Sequence, residues 1–220
     1  MKREEDIATR YRITSLVRRR PFVNLYFALD FQQTTNQGQS RMVAIRDIDL
    51  TWLPEADLIK AAGPAQQEYD LLRQGDIPYV MPATDLRYFQ GHLFLVAGHP
   101  NLTPAVPAGP LAPGAAGSEA DARLNTLQDY LQSGQGLPSE QRALQWTRQL
   151  CQAVDSLHQR QIVIGDLDPF TILYSGDISD PDAARLSPLI AWLTPALREL
   201  LPSSTTTSLS YFVAPEACLL

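Results

Sequence analysis

From residue 11 to about 97 the apolar positions come in short runs that suit strands: YRITSLV, NLYFALD and MVAIRDI, then DLRYF and HLFLVA divided by Gln90-Gly91. One helical stretch interrupts them, PAQQEYDLLRQG, with Pro64 expected at the first helical position and Gly75 just past the end. Strands, one helix and further strands predict a small sheet-based lobe over residues 1–98. Residues 99–121 change character, with Pro100, Pro104, Pro107, Pro110 and Pro113 set among Gly and Ala, and predict a linker or inserted loop. Helical spacing then takes over. Leu124, Leu127, Tyr130 and Leu131 form a short stripe. After a candidate cap at Ser139, residues Ala143, Leu144, Thr147, Leu150, Cys151, Val154 and Leu157 form a longer one, which predicts a buried face with Cys151 in the core. The hydroxyl-rich tract Ser203 to Ser208 is expected to be a loop.

The composition of the 220 residues, 45% apolar and 19% charged, is that of an ordinary globular chain. No run approaches the roughly 20 apolar residues of a membrane span, and MKREEDIATRYR lacks the apolar centre of a secretory signal. The expectation is a cytoplasmic protein with no membrane span. Cys151 and Cys218 are too few for a disulfide framework, and His92, His99 and His158 have no metal-ligand spacing. Net charge is −6, but residues 1–20 hold seven basic and three acidic groups, so the start carries +4 and the remainder −10. That acidic remainder argues against binding to nucleic acid.

The segment LHQRQIVIGDLDPFTILY resembles the catalytic loop of eukaryotic-type (Hanks-type) serine/threonine protein kinases. Three further landmarks follow the same order along the chain. RMVAIRDI resembles the third strand of that family, Glu68 lies where its helix glutamate belongs, and YFVAPEACLL resembles the Ala-Pro-Glu that closes an activation segment. RYRITSLVRRRPFVNLYFALD stands where the first two strands flank a glycine-rich loop. The resemblance implies an α+β, two-lobed kinase-like fold. An antiparallel sheet with one helix forms the first lobe over residues 1–98, and residues 122–220 form an incomplete, mainly helical second lobe that runs through the activation segment.

The departures from the family pattern concern chemistry. The three loop glycines fall at Arg18, Arg20 and Val23, so the backbone approaches phosphate less closely; Arg18, Arg19 and Arg20 form either a solvated turn or a side-chain contact to phosphate. Arg46 replaces the strand lysine and is expected to pair with Glu68, as a structural bridge or as an ATP contact. Asp166 matches the general base, but Asp168 stands where a cation contacts the transferred phosphoryl, and Thr171 replaces a metal-binding asparagine. The best register puts Ala191-Trp192-Leu193 in place of Asp-Phe-Gly, with Glu216 twenty-five residues on, and alanine binds no magnesium. Asp177, Asp180 and Asp182 sit in a stretch that reads as a turn between strands.

The resemblance therefore implies a pseudokinase, a signalling scaffold or allosteric protein-binding module with weak or absent nucleotide binding. Asp166 is its residual general-base position. Arg46, Glu68, Val96 and Gly98 line a nucleotide cleft that uses no metal and holds no resident cofactor, with ATP binding without magnesium left open. The alternative is an active, divergent kinase that transfers phosphate from ATP to protein hydroxyls. The partner implied is a protein, or a continuation of the chain, that covers the partial second lobe.

Overall fold

A computed structural model describes residues 9–34, 40–74, 77–98, 125–134, 136–162, 164, 167–175 and 185–189. The expected strands form β1 (Tyr11–Arg20), β2 (Val23–Thr34), β3 (Ser40–Asp49), β4 (Ala83–Phe89) and β5 (His92–Ala97). They make one antiparallel sheet in the order β1-β2-β3-β5-β4. Helix α1 (Glu55–Arg73) lies between β3 and β4 in sequence, and α2 (Leu127–Gln132) and α3 (Glu140–His158) come after the sheet. A second antiparallel pair follows, β6 (Ile172–Ser175) with β7 (Arg185–Pro188). The chain is thus α+β. Its linker and everything beyond Leu189 lie outside the described residues.

Period-two alternation gives the five-stranded sheet two apolar faces. Val23, Ile48 and Leu93 of the inner face pack with Ala61 and Ala65 of α1, while Leu25, Phe27, Met42 and Ala44 pack with Met81, Leu173 and Leu189. The outer face carries Tyr11, Ala28, Val43, Ile45, Phe94 and Val96. In a flat sheet β1 and β4 would stand four strand spacings apart, roughly 19 Å. Yet the Tyr11 hydroxyl donates to Asp85 Oδ2 at 2.9 Å, so the sheet coils until its edges meet across that face. Arg10 closes the seam, bonding both carboxylate oxygens of Asp30 at 2.9 and 2.7 Å and reaching Asp85 at 3.1 Å. Burial, reinforced by the bond to Asp85, pushes the Tyr11 phenol above its usual range.

Two expectations about helices are corrected. Pro64 lies inside α1 rather than at its first position, because the helix begins nine residues earlier, after Pro54, with Glu55 and Asp57 in its first turn. Leu58, Ala61, Ala65, Glu68 and Leu72 make a continuous stripe at spacings of three and four, and its packing outweighs the backbone bond that Pro64 cannot make. In α3 the Ser139 cap holds, its hydroxyl accepting from Arg142 N at 3.3 Å. The buried face, however, is Trp146, Gln149, Ala153 and Leu157, with Leu150 and Val154 half-buried; Leu144, Thr147 and Cys151 are exposed. Trp146 turns the helix this way. It packs edge-on to Tyr130 and Tyr174, with ring centroids 5.1 and 5.8 Å away, joining α2, α3 and β6.

The β4–β5 hairpin turns at Gln90 (φ +50°) and Gly91 (φ +81°), the two positive angles of a type I′ turn. A Cβ at Gly91 would meet Thr51 Cγ2 at 2.7 Å. Gly91→Ala should therefore lower stability by about 1–3 kcal/mol through strain and overlap together, measured as a shift in the midpoint of urea unfolding with unchanged slope.

Candidate functional site

The inner face of β3 carries Ala44, Arg46 and Ile48, and the buried stripe of α1 brings Glu68 toward it. Arg46 Nη2 donates to Glu68 Oε1 at 2.5 Å, with the two side chains only 3% and 2% exposed. Burial pushes the Glu68 carboxyl above its ordinary value, and attraction to Arg46 opposes the rise without cancelling it. Strand and helix are joined by a charge pair that the sheet and α1 shield from water.

Beside Arg46 lies a cavity of about 30 Å³, room for only a few water molecules and well below the roughly 300 Å³ at which ligand pockets begin. Leu25, Ala44, Met81, Leu95 and Leu189 are among the residues that line it. Of the other expected cleft residues, Val96 is placed on the opposite face of β5, in the outer cluster, because alternation gives Leu95 and Ala97 to the cavity. Gly98 follows β5, where its N–H donates to Pro82 O at 3.1 Å and a Cβ would come within 3.0 Å of Val43. Its role is close packing. Asp166 lies outside the described residues, as do Ala191-Trp192-Leu193, Glu216 and Asp177, Asp180 and Asp182.

Asp168 and Thr171 form a self-contained turn. Asp168 Oδ1 accepts from Phe170 N at 2.9 Å and Thr171 N at 3.1 Å, while the Thr171 hydroxyl accepts from Asp168 N and donates to Asp168 O. Thr171 is fully buried and its hydroxyl is engaged within the turn. Asp168 Oδ2 is met from β1 by Arg18 Nη2 at 2.7 Å. Arg18 is thus neither a solvated turn residue nor an open phosphate contact. Its strand pairing shifts register twice, between Ile13 and Ser15 and between Leu16 and Arg18, and the two shifts together leave Arg18 opposite inward-facing Leu25. The turn itself is only Pro21-Phe22, with Phe22 at φ +62° and Arg20 paired to Val23. The opposite charges at positions 18 and 168 were the sequence signal for this contact.

Among the described residues no group of three or more His, Cys, Asp or Glu side chains is placed to hold a metal ion. No helix among them is long and apolar enough to cross a membrane. No model of a known protein family matches the chain, and no curated protein matches its sequence.

Removing Arg46 alone should leave Glu68 buried without its cation. Arg46→Met is expected to cost about 3–5 kcal/mol, whereas Arg46→Met with Glu68→Leu should return most of that loss. In the single variant the Glu68 pKa rises further above the unfolded value, so the native state holds the extra proton. Stability should then be greatest at acid pH and fall as pH rises through the ordinary carboxyl range and beyond, until Glu68 is ionised in both states. Urea unfolding of the variants from pH 4 to pH 8 checks the sign.

Proposed function

We propose that this chain is a protein-kinase-like pseudokinase, a scaffold or allosteric protein-binding module that does not transfer phosphate. The observation that carries the reading is the buried Arg46–Glu68 pair. A cation on the third strand of an antiparallel sheet, held by a glutamate of the single helix that follows, is the arrangement implied by the four landmarks in RMVAIRDI, Glu68, the 164–173 loop and YFVAPEACLL. The described sheet and helix are compatible with a first lobe of that kind. Two features support loss of activity. Asp168 puts a paired carboxylate where a phosphoryl group needs a cation, and the space beside Arg46 is small, about 30 Å³, and lined mainly by apolar side chains.

A protein of this design acts through its surfaces, so its partner is another protein, and cytoplasmic signalling is its setting. Incubation with radiolabelled ATP, with and without magnesium, should give no incorporation into the chain or a generic protein substrate above an Asp166→Asn control. Labelling that the control abolishes assigns phosphoryl transfer to Asp166 and ends the pseudokinase reading. Calorimetry should find that magnesium changes any ATP affinity by less than tenfold, about 1.4 kcal/mol.

A further inference from the structure

An open pocket of about 250 Å³ lies between β1 and α2. Ser15 and Leu16 both line it, although Ser15 stands opposite inward-facing Phe27 and Leu16 opposite Tyr26 of the other face. A space lined from both faces meets the strand at its edge. That edge is open among the described residues, where β1 has β2 as its only strand neighbour. Two large apolar side chains of the lining stand in solvent, Leu16 at 51% exposure and Phe170 at 44%. The helix contributes Gln128 and Gln132, one turn apart, whose carboxamides both donate and accept. Asp129 is the one charged residue among the described lining, and its Oδ2 already accepts from the N–H and the hydroxyl of Thr126, each at 2.8 Å. The Ser15 Oγ is buried with no hydrogen-bond partner among the described residues.

We propose that this pocket is a docking site for an extended segment of a partner protein, which lies along the β1 edge and puts one uncharged aromatic side chain between Leu16 and Phe170. Three observations choose that occupant. The volume of about 250 Å³ falls below the roughly 300 Å³ at which pockets for whole small molecules begin, and suits one large side chain. The lining joins apolar side chains to carboxamides, which matches a ring flanked by peptide groups, and it offers an ionic side chain no open counter-charge. The edge of β1 presents backbone N–H and C=O groups to a segment in extended form, the mode by which a strand adds to a sheet. Docking covers Leu16 and Phe170, and the Ser15 hydroxyl gains a partner by turning toward the segment. The choice of a protein over a small molecule rests on the proposed protein-binding function; the pocket and the open edge do not.

Capped probes test the site by NMR on the full isotope-labelled chain. N-acetylphenylalanine N-methylamide should shift the amide signals of residues 15–17 and 128–132 saturably, whereas N-acetylglycine N-methylamide, which lacks the ring, should not. Leu16→Ser and Phe170→Ser, both at exposed positions, should each weaken binding at least fivefold while the rest of the spectrum stays that of the parent. The capped peptide acetyl-Ser-Thr-Phe-Thr-Ser-amide should bind at least tenfold more tightly than the single capped residue and slow hydrogen exchange at residues 15–17 at least threefold. Shifts absent at these residues, or equal in both variants and the parent, overturn the site. A peptide that binds no more tightly than the single residue overturns strand addition. Either failure is separate from phosphoryl transfer, which the ATP labelling decides.

Discussion

A carboxylate carried from water into a protein interior costs several kcal/mol unless a cation meets it there and its remaining lone pairs are bonded. This fold buries carboxylates of Asp30, Glu68 and Asp168, and each is met by an arginine from another element. Arg10 answers Asp30 where the edges of the sheet curl together, Arg46 answers Glu68 between sheet and helix, and Arg18 answers Asp168 between the hairpin and the turn before β6. Each pair fixes one approach of two elements that apolar packing alone would leave free to slide. The planar guanidinium suits this work, because its fork holds a carboxylate in one orientation, as Arg10 does with both oxygens of Asp30.

The same pairing decides what chemistry is left in the cleft. A cation that stabilises a phosphoryl group in flight must face open space and keep its donors for the substrate. Arg46 instead meets Glu68 at the wall of a small, mainly apolar cavity, and Arg18 meets a carboxylate already fixed by two backbone amides. Both arginines contribute to architecture. Under the proposed reading, these exchanges of lysine for arginine and of cation for carboxylate convert a transfer site into a set of fasteners.

The elements that were legible in the sequence are those set by local chemistry. Alternating runs located all five strands, Gln90-Gly91 located a hairpin, and Ser139 located a helix start, because each signal lies within a few residues of its effect. The start of α1 was not legible, since Gly63-Pro64 is ordinary punctuation and only packing of the flanking Ala61 and Ala65 carries the helix through it. The face of α3 was ambiguous for a related reason. Two stripes share Leu150, Val154 and Leu157, and the choice between Leu144 and Trp146 rests on partners Tyr130 and Tyr174 in other elements. At the site, the opposite charges of Arg46 in the strand run MVAIRDI and Glu68 in the following helix were visible in the sequence. The side chain of Val96 lies on the outer face and those of its neighbours Leu95 and Ala97 on the inner, because one residue of strand register inverts the face.

The Arg18–Asp168 contact shows why long-range placement escapes a local reading even when both charges are visible. β1 departs from regular alternation twice, between Ile13 and Ser15 and between Leu16 and Arg18, and the second departure cancels the first, returning Arg18 to the face opposite inward-facing Leu25. The extra residue, Val17, goes to the inner core instead of pairing in the ladder, so the apolar contact and the re-aimed charge arise together. A positive φ at Phe22 then closes the hairpin in two residues, where a glycine-rich turn would be longer and looser. The tip and the Arg18 contact are therefore carried on the same bulged strand, β1. The contact between positions 18 and 168 depends on the register of the whole of β1, which neither residue encodes.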